Sequence, residues 1–335
     1  MSSTPIKRVL IIRSGALGDL IYATVIIDAL NKQFQEIQID MVLNPNVSNI
    51  IQNDHRVHTI FPLSQRKLPL LLSPQKLKIV FSSYLQPYDL LVNLEQNRHF
   101  DALAQQIKAK VKLGSPYSTS HVLPGKDHMV DIIKQYLLPV CTQETLDESL
   151  PQLFADDFST IKEKFTLPDS YLVFAPSNSH ANRNKINYRA WPQEKWKALI
   201  ALVPENTTIV LIGGRGEEEF FSKIKPYPKN VIDLTAKTSL PELITVIQNA
   251  KKLVTTDTGS AHLASAVNTD ITVLIGPTNV KLTGPYPTDN HIDIISLNLA
   301  CAPCYSTPTM HACTNNRCMN EISVETVVES LKDYY

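Results

Sequence analysis

Glycine is scarce in this chain: ten in 335 residues, about half of the roughly 7% usual in soluble proteins. A chain so sparing with glycine spends it where the backbone needs a tight turn or a close approach. Gly15, Gly18, Gly213, Gly214, Gly216, Gly259, Gly276 and Gly284 all fall at expected strand ends or turns. No apolar run reaches the ~18 residues of a spanning helix, and the stretch after residue 8 is too short for a signal core, so neither membrane insertion nor secretion is expected. Charge of neither sign prevails, with 32 Lys and Arg against 32 Asp and Glu, which argues against a nucleic-acid partner. Cysteine is rare and odd in number, five with four of them late, a poor disulfide framework that fits a reducing cytoplasm.

What is present is apolar content of 43% in a chain too long for one ordinary core, so two domains are expected. The boundary is placed at residues 1–165 and 166–335. Short apolar strands alternate with helical patterns throughout, and the loop after each strand carries the polar residues. The predicted class is α/β, two doubly wound domains facing across a cleft. The clearest unit is residues 253–277, LVTTDTGSAHLASAVNTDITVLIGP, which reads strand, turn, helix, strand, Gly-Pro stop. Gly259 lets the backbone approach a ligand, Ser260 is the expected N-cap, and the helix start offers N–H groups to a phosphate. His262 in the first turn and Asp257 at the strand end either meet pyrophosphate and ribose or merely cap and fill the junction.

The first strand, residues 9–12, leads through Arg13-Ser14-Gly15-Ala16-Leu17-Gly18-Asp19 into a helix over 20–34. The turn matches neither the dinucleotide nor the P-loop pattern. Instead it sets a carboxylate, Asp19, at a helix start, either a dipole partner or a general base for a substrate hydroxyl. Residues 55–88 contain no Asp or Glu, and Arg56, Arg66, Lys67, Lys76 and Lys78 are interleaved with leucines and Phe81. This segment reads as a surface for an anionic amphiphile or acidic membrane, or as an amphipathic helix pair with a solvated basic edge. Glu95, Asn97, Arg98 and His99 follow the strand at 90–94, where α/β sheets contact ligands. In the second half, Ser177 opens a polar loop with Lys185 and Arg189, and Gly213-Gly214-Arg215-Gly216 precedes Glu217 and Glu218, which either reach a nucleoside or are solvated first-turn acids. Cys301, Cys304, Cys313 and Cys318 could ligate zinc or iron, or stay reduced.

Four ordered stretches, Arg13-Ser-Gly-Ala-Leu-Gly-Asp19, Arg189-Ala-Trp-Pro192, Asp257-Thr-Gly-Ser-Ala-His-Leu-Ala264 and Gly276-Pro-Thr278, resemble the ADP-heptose:lipopolysaccharide heptosyltransferases of glycosyltransferase family 9. The Cys301-x2-Cys304 tail is similar to that of heptosyltransferase II-like members. The resemblance implies a GT-B fold with an N-terminal acceptor domain, a C-terminal nucleotide-sugar domain and a final helix crossing back. It also implies inverting transfer from ADP-heptose with no required cofactor or metal. Asp19 then matches the base, with Arg13, Gly18, Arg66 and Lys67 on the acceptor. Ser177, Lys185, Arg189, Asp257, Thr258, Gly259, Ser260 and His262 hold the donor. Arg189 stands where the family usually has Lys, which replaces a point charge by a fork. The implied acceptor is an anionic lipid-linked sugar, met at the cytoplasmic face of the inner membrane through transient surface contact. The alternatives are a GT-B transferase for another nucleotide sugar or acceptor, and a non-catalytic nucleotide-sugar-binding protein.

Overall fold

A computed structural model describes residues 5–64, 67–117, 127–177 and 187–335. The chain forms two compact units, Met1–Phe154 and Ala155–Tyr335. The division falls earlier than the expected 165 because residues 155–165 are tied to the second core. Helix Phe158–Phe165 packs on helix Leu240–Gln248, and the Asp156 N–H donates to Thr245 Oγ1 at 2.9 Å.

The first unit is built on five parallel strands, β1 (Arg8–Arg13), β2 (Gln38–Leu43), β3 (Val57–Pro62), β4 (Tyr88–Asn93) and β5 (Ala109–Gly114), in the order β3-β2-β1-β4-β5. Val9 to Ile12 are fully buried, as expected of a parallel strand covered on both faces. Its helices are α1 (Leu17–Gln33), α2 (Pro74–Leu85), α3 (Arg98–Gln106), α4 (Met129–Gln135) and α5 (Gln143–Asp147). Helix α1 is buried from Leu20 to Leu30 and packs on α4 and α5.

The second unit opens with α6 (Phe158–Phe165) and holds six parallel strands, β6 (Leu172–Ala175), β7 (Ile209–Leu211), β8 (Val231–Asp233), β9 (Lys252–Thr256), β10 (Ile271–Leu274) and β11 (Ile292–Ile295). Their order is β11-β10-β9-β6-β7-β8. Between them lie α7 (Gln193–Leu202), α8 (Glu218–Lys223), α9 (Leu240–Gln248) and α10 (Gly259–Ala266). Ser239 and Glu242 form the capping box that starts α9.

Strands β3 and β11 were not anticipated in the sequence. Helix α10 begins at Gly259 with Thr258 as its N-cap, in place of Ser260. The closing helix Val324–Glu329 packs on α7, where Val327 and Leu331 join Trp191 and Trp196 in the second core. That apolar face holds it on the second unit.

Both sheets share one logic. Chain order runs outward from β1 on one side and resumes at β4 on the other, and β6 and β9 stand in the same relation. Ligands of such sheets bind beyond the carboxyl ends at that reversal.

Candidate functional sites at the two strand-order reversals

At the first reversal, β1 delivers Arg13 and Ser14 and β4 delivers Leu94 and Glu95. Arg13 meets three acceptors on two residues at once. Its Nη2 meets Asp19 Oδ1 at 2.7 Å, its Nε donates to the Asp19 carbonyl at 3.2 Å and its Nη1 to the Leu94 carbonyl at 3.1 Å. Glu95 Oε1 accepts from the Ser14 N–H at 2.7 Å and stands 3.8 Å from Arg13. Asp19 is the third residue of α1, and its Oδ2 accepts from the Ala16 N–H at 3.0 Å, closing the helix start. A Cβ at position 15 would collide with that carboxylate, so Gly15 makes room for it. The result is a fixed carboxylate that stays 42% exposed while Arg13 is only 13% exposed. Gly18 lies in the same first turn.

Beside it a cavity of about 750 Å³ is lined by Ser64, Lys67, Leu68, Glu95, Asn97, His99 and Phe100, so Lys67 is brought to the carboxyl ends of β3 and β4. Arg66 lies outside the described residues. His128 accepts from the Val130 N–H at 3.1 Å to cap α4 and packs edge-on against Tyr22.

At the second reversal, β6 leads through Pro176 to Ser177 and β9 leads directly into Asp257. Thr255 Oγ1 ties the strands by donating to the Ala175 carbonyl at 3.2 Å and meets Thr258 Oγ1 at 3.2 Å. Asp257 is buried, with Arg189 Nη1 at 3.7 Å from its Oδ2. The Arg189 guanidinium also lies 5.2 Å from the Tyr305 ring centroid, within cation–π range. Arg189 is carried there by Trp191, whose fully buried indole donates to the Ile322 carbonyl at 3.1 Å. Gly259, Ser260 and His262 occupy the first turn of α10, with His262 buried. Thr258 offers no side-chain cap, so the first N–H groups of α10 are left for a ligand. Lys185 lies outside the described residues.

Sequence reading did not assign Thr256 or Thr278 to the site. Both are buried, and among the described residues neither hydroxyl has a hydrogen-bond partner, a costly state that a bound oxyanion would relieve. The signal for Thr278 was its place in the strand-end Gly-Pro-Thr. Of Glu217 and Glu218, which the sequence left either as nucleoside contacts or as solvated acids, Glu217 is the half-buried one. Burial raises its carboxyl above the ordinary range, while the Gly214 N–H and the Ser177 hydroxyl pull the other way. Its Oε2 accepts from Gly214 at 3.0 Å, and it lines a cavity of about 680 Å³ with Asn187, Trp191 and Phe220. Asp257 and His262 do not line that cavity.

All four late cysteines are free thiols within electrostatic reach of one another. Burial pushes the Cys318 thiol up to about 11, and the charges of Cys304, Cys301 and Cys313 add to this. Among the described residues no three His, Cys, Asp or Glu side chains are grouped to hold a metal.

The sequence model of glycosyltransferase family 9 (heptosyltransferase) matches residues 85–314. Lipopolysaccharide heptosyltransferase 1 of Salmonella typhimurium is 24% identical over 298 residues, covering 83% of this chain and 91% of that protein. Among solved structures, the family 9 glycosyl transferase of Veillonella parvula superposes with a TM-score of 0.83 at 18% identity, covering 99% of this chain and 98% of the other. The Escherichia coli ADP-heptose lps heptosyltransferase II gives 0.77 at 18% identity, with 98% of each chain covered. These likenesses identify the fold as GT-B.

Proposed function

Since this chain belongs to glycosyltransferase family 9, we propose that it moves heptose from ADP-heptose to a hydroxyl of a lipopolysaccharide inner-core acceptor, with inversion and with Asp19 as general base. The donor follows from the ADP-heptose named for the E. coli structural relative, and the acceptor from the lipopolysaccharide named for the Salmonella relative. In a single displacement the acceptor oxygen bonds to the anomeric carbon as the bond to the diphosphate breaks. The hydroxyl proton passes to the Asp19 carboxylate, and ADP leaves with its electron pair. One displacement inverts the configuration.

The observation that carries the reading is Asp19 itself, a carboxylate fixed by Arg13 and the Ala16 N–H yet open to solvent at a strand-order reversal. The leaving diphosphate gains charge, which Arg189 and the N–H groups opening α10 are suited to stabilise without a metal. Asp257, Thr258, Gly259, Ser260 and His262 line that start, and Ser177 and Glu217 stand on the ribose side. The first unit takes the acceptor through Arg13, Gly18, Lys67 and the cavity that ends at His99. On this reading the lipid acceptor is met at the cytoplasmic face by surface contact. Among the described residues no helix is long and apolar enough to cross a membrane.

The test is Asp19→Asn, which keeps size and removes the base. Turnover of ADP-heptose should fall by about 10² to 10⁴, while calorimetric binding of ADP stays unchanged and remains preferred over UDP and GDP. Turnover in the presence of a strong chelator should match that without it. Full activity in Asp19→Asn removes the base assignment, and a preference for UDP removes the heptose donor.

A further inference from the structure

Fifteen large hydrophobic side chains are exposed among the described residues, and seven of them lie within residues 68–85. Helix α2 explains the concentration, because it is apolar on two faces. Ile79 and Ser83 are buried on the inner face. Leu77, Phe81, Tyr84 and Leu85 follow the i, i+4, i+7, i+8 spacing of a single outer stripe, and Phe81 and Leu85 are 64% and 72% exposed. The short turn Leu70–Leu72 before α2 adds Leu71 at 82% and Leu72 at 67%. A shallow depression lined by Pro74, Leu77, Lys78, Val80, Phe81 and Tyr84 runs along the stripe. Exposed apolar area this concentrated marks a surface made to be covered.

The charges around it say by what. No Asp or Glu occurs from 55 to 88. Two of the cations there are structural: Arg56 pairs with Asp54 and Asp28 and lies over the Phe154 ring, and Lys76 is buried with its Nζ on the Leu68 carbonyl at 2.7 Å. Lys67 and Lys78 are exposed, and Lys108 joins them from beyond α3, its Nζ 5.7 Å from the Tyr84 ring centroid. A second copy of this chain, docked about a two-fold axis, would set these lysines against their own equivalents. An anionic leaflet takes both parts, the apolar stripe among the acyl chains and the lysines among the phosphates.

We propose that Leu71, Leu72, Leu77, Phe81, Tyr84 and Leu85 form a docking surface for an anionic lipid bilayer, with Lys67, Lys78 and Lys108 on its headgroups. The surface runs into the cavity of the first reversal, since Leu68 and Lys67 line that cavity. Docking therefore brings the Asp19 side of the sheet to the level of a lipid-borne sugar. The inference deepens the proposed function by naming its membrane contact, and it rests on that reading only for the lipid nature of the acceptor.

Co-sedimentation of the whole chain with phosphatidylcholine vesicles, with and without phosphatidylglycerol, tests it apart from catalysis. Binding should require phosphatidylglycerol and weaken at high salt. A triple variant, Leu71→Ser, Phe81→Ser and Leu85→Ser, should bind at least about tenfold more weakly, and Lys78→Glu with Lys108→Glu several-fold more weakly. Both variants should keep the wild-type melting temperature and ADP affinity, since they change only exposed side chains. The proposal is overturned by equal binding to neutral vesicles, by undiminished binding of the serine variant, or by a wild-type dimer that the serine variant converts to monomer. Turnover on a deacylated, water-soluble acceptor is measured separately, so that failure of the reaction and failure of the surface are told apart.

Discussion

Glu217 sits one residue before α8 with its carboxylate turned back on Gly214 and Ser177. Burial holds its proton to a higher pH than usual, and only the charged form accepts well from two ribose hydroxyls. ADP affinity should therefore weaken as pH falls through this raised pKa. In Glu217→Gln the weakening should disappear, with affinity at neutral pH about tenfold lower or more, the worth of hydrogen bonds to a charged acceptor. Calorimetric titration of ADP from about pH 5 to about pH 8 checks both, and an unchanged pH profile in the variant would take Glu217 out of the nucleoside site. In the sequence Glu217 and Glu218 were equivalent first-turn acids, because only the fold of the Gly213–Gly214 backbone turns one of them inward. Asp19 and the Asp257 to His262 turn were legible because their chemistry is local, a carboxylate or a helix start within seven residues of a strand end. The anchoring of Arg13 by Glu95 was not, since it joins residues 82 apart, and nothing in either stretch names the other.

Elements were legible where apolar runs are continuous. Val9 to Ile12 and Leu253 to Thr256 are buried on both faces and could be read as strands. The edges defeated that rule. Strand β3 is half-exposed along its length and ends in Pro62, and β11 keeps no fully buried residue, so neither shows a run or a clean alternation. Helix α2 was ambiguous in the opposite way, with apolar residues on two faces. The Arg189-Ala-Trp-Pro192 stretch belongs to this scale, because its charge is useful only where its tryptophan puts it. Trp191 is fully buried, stands edge-on to Trp196 with ring centroids 5.1 Å apart and bonds the chain at Ile322. Trp191→Ala should cost about 3–5 kcal/mol in chemical denaturation and weaken ADP binding as Arg189 loses its mount. Wild-type stability in this variant would show that the closing segment is held by other contacts.

Among the described residues each unit carries its own sheet and its own apolar core. Leu10, Ile12, Val42 and Leu91 gather in one, and Phe174, Trp191, Trp196 and Val254 in the other. Every residue assigned to the donor belongs to the second unit, and Asp19 with the acceptor residues belongs to the first. A ligand that binds only the folded form of one unit stabilises that unit by mass action, about 2.7 kcal/mol at a hundred times its Kd. For a unit of this size that corresponds to a rise of roughly 5–10 °C in its midpoint. Scanning calorimetry with and without ADP should therefore show one melting component moving up by about that amount and the other staying in place. Asp19→Asn should leave the ADP-induced shift intact, since its carboxylate lies in the other unit, whereas His262→Ala should reduce it. Equal upward movement of both components would mean that the nucleotide is shared between the units, and the division of donor from acceptor drawn from the two reversals would have to be redrawn.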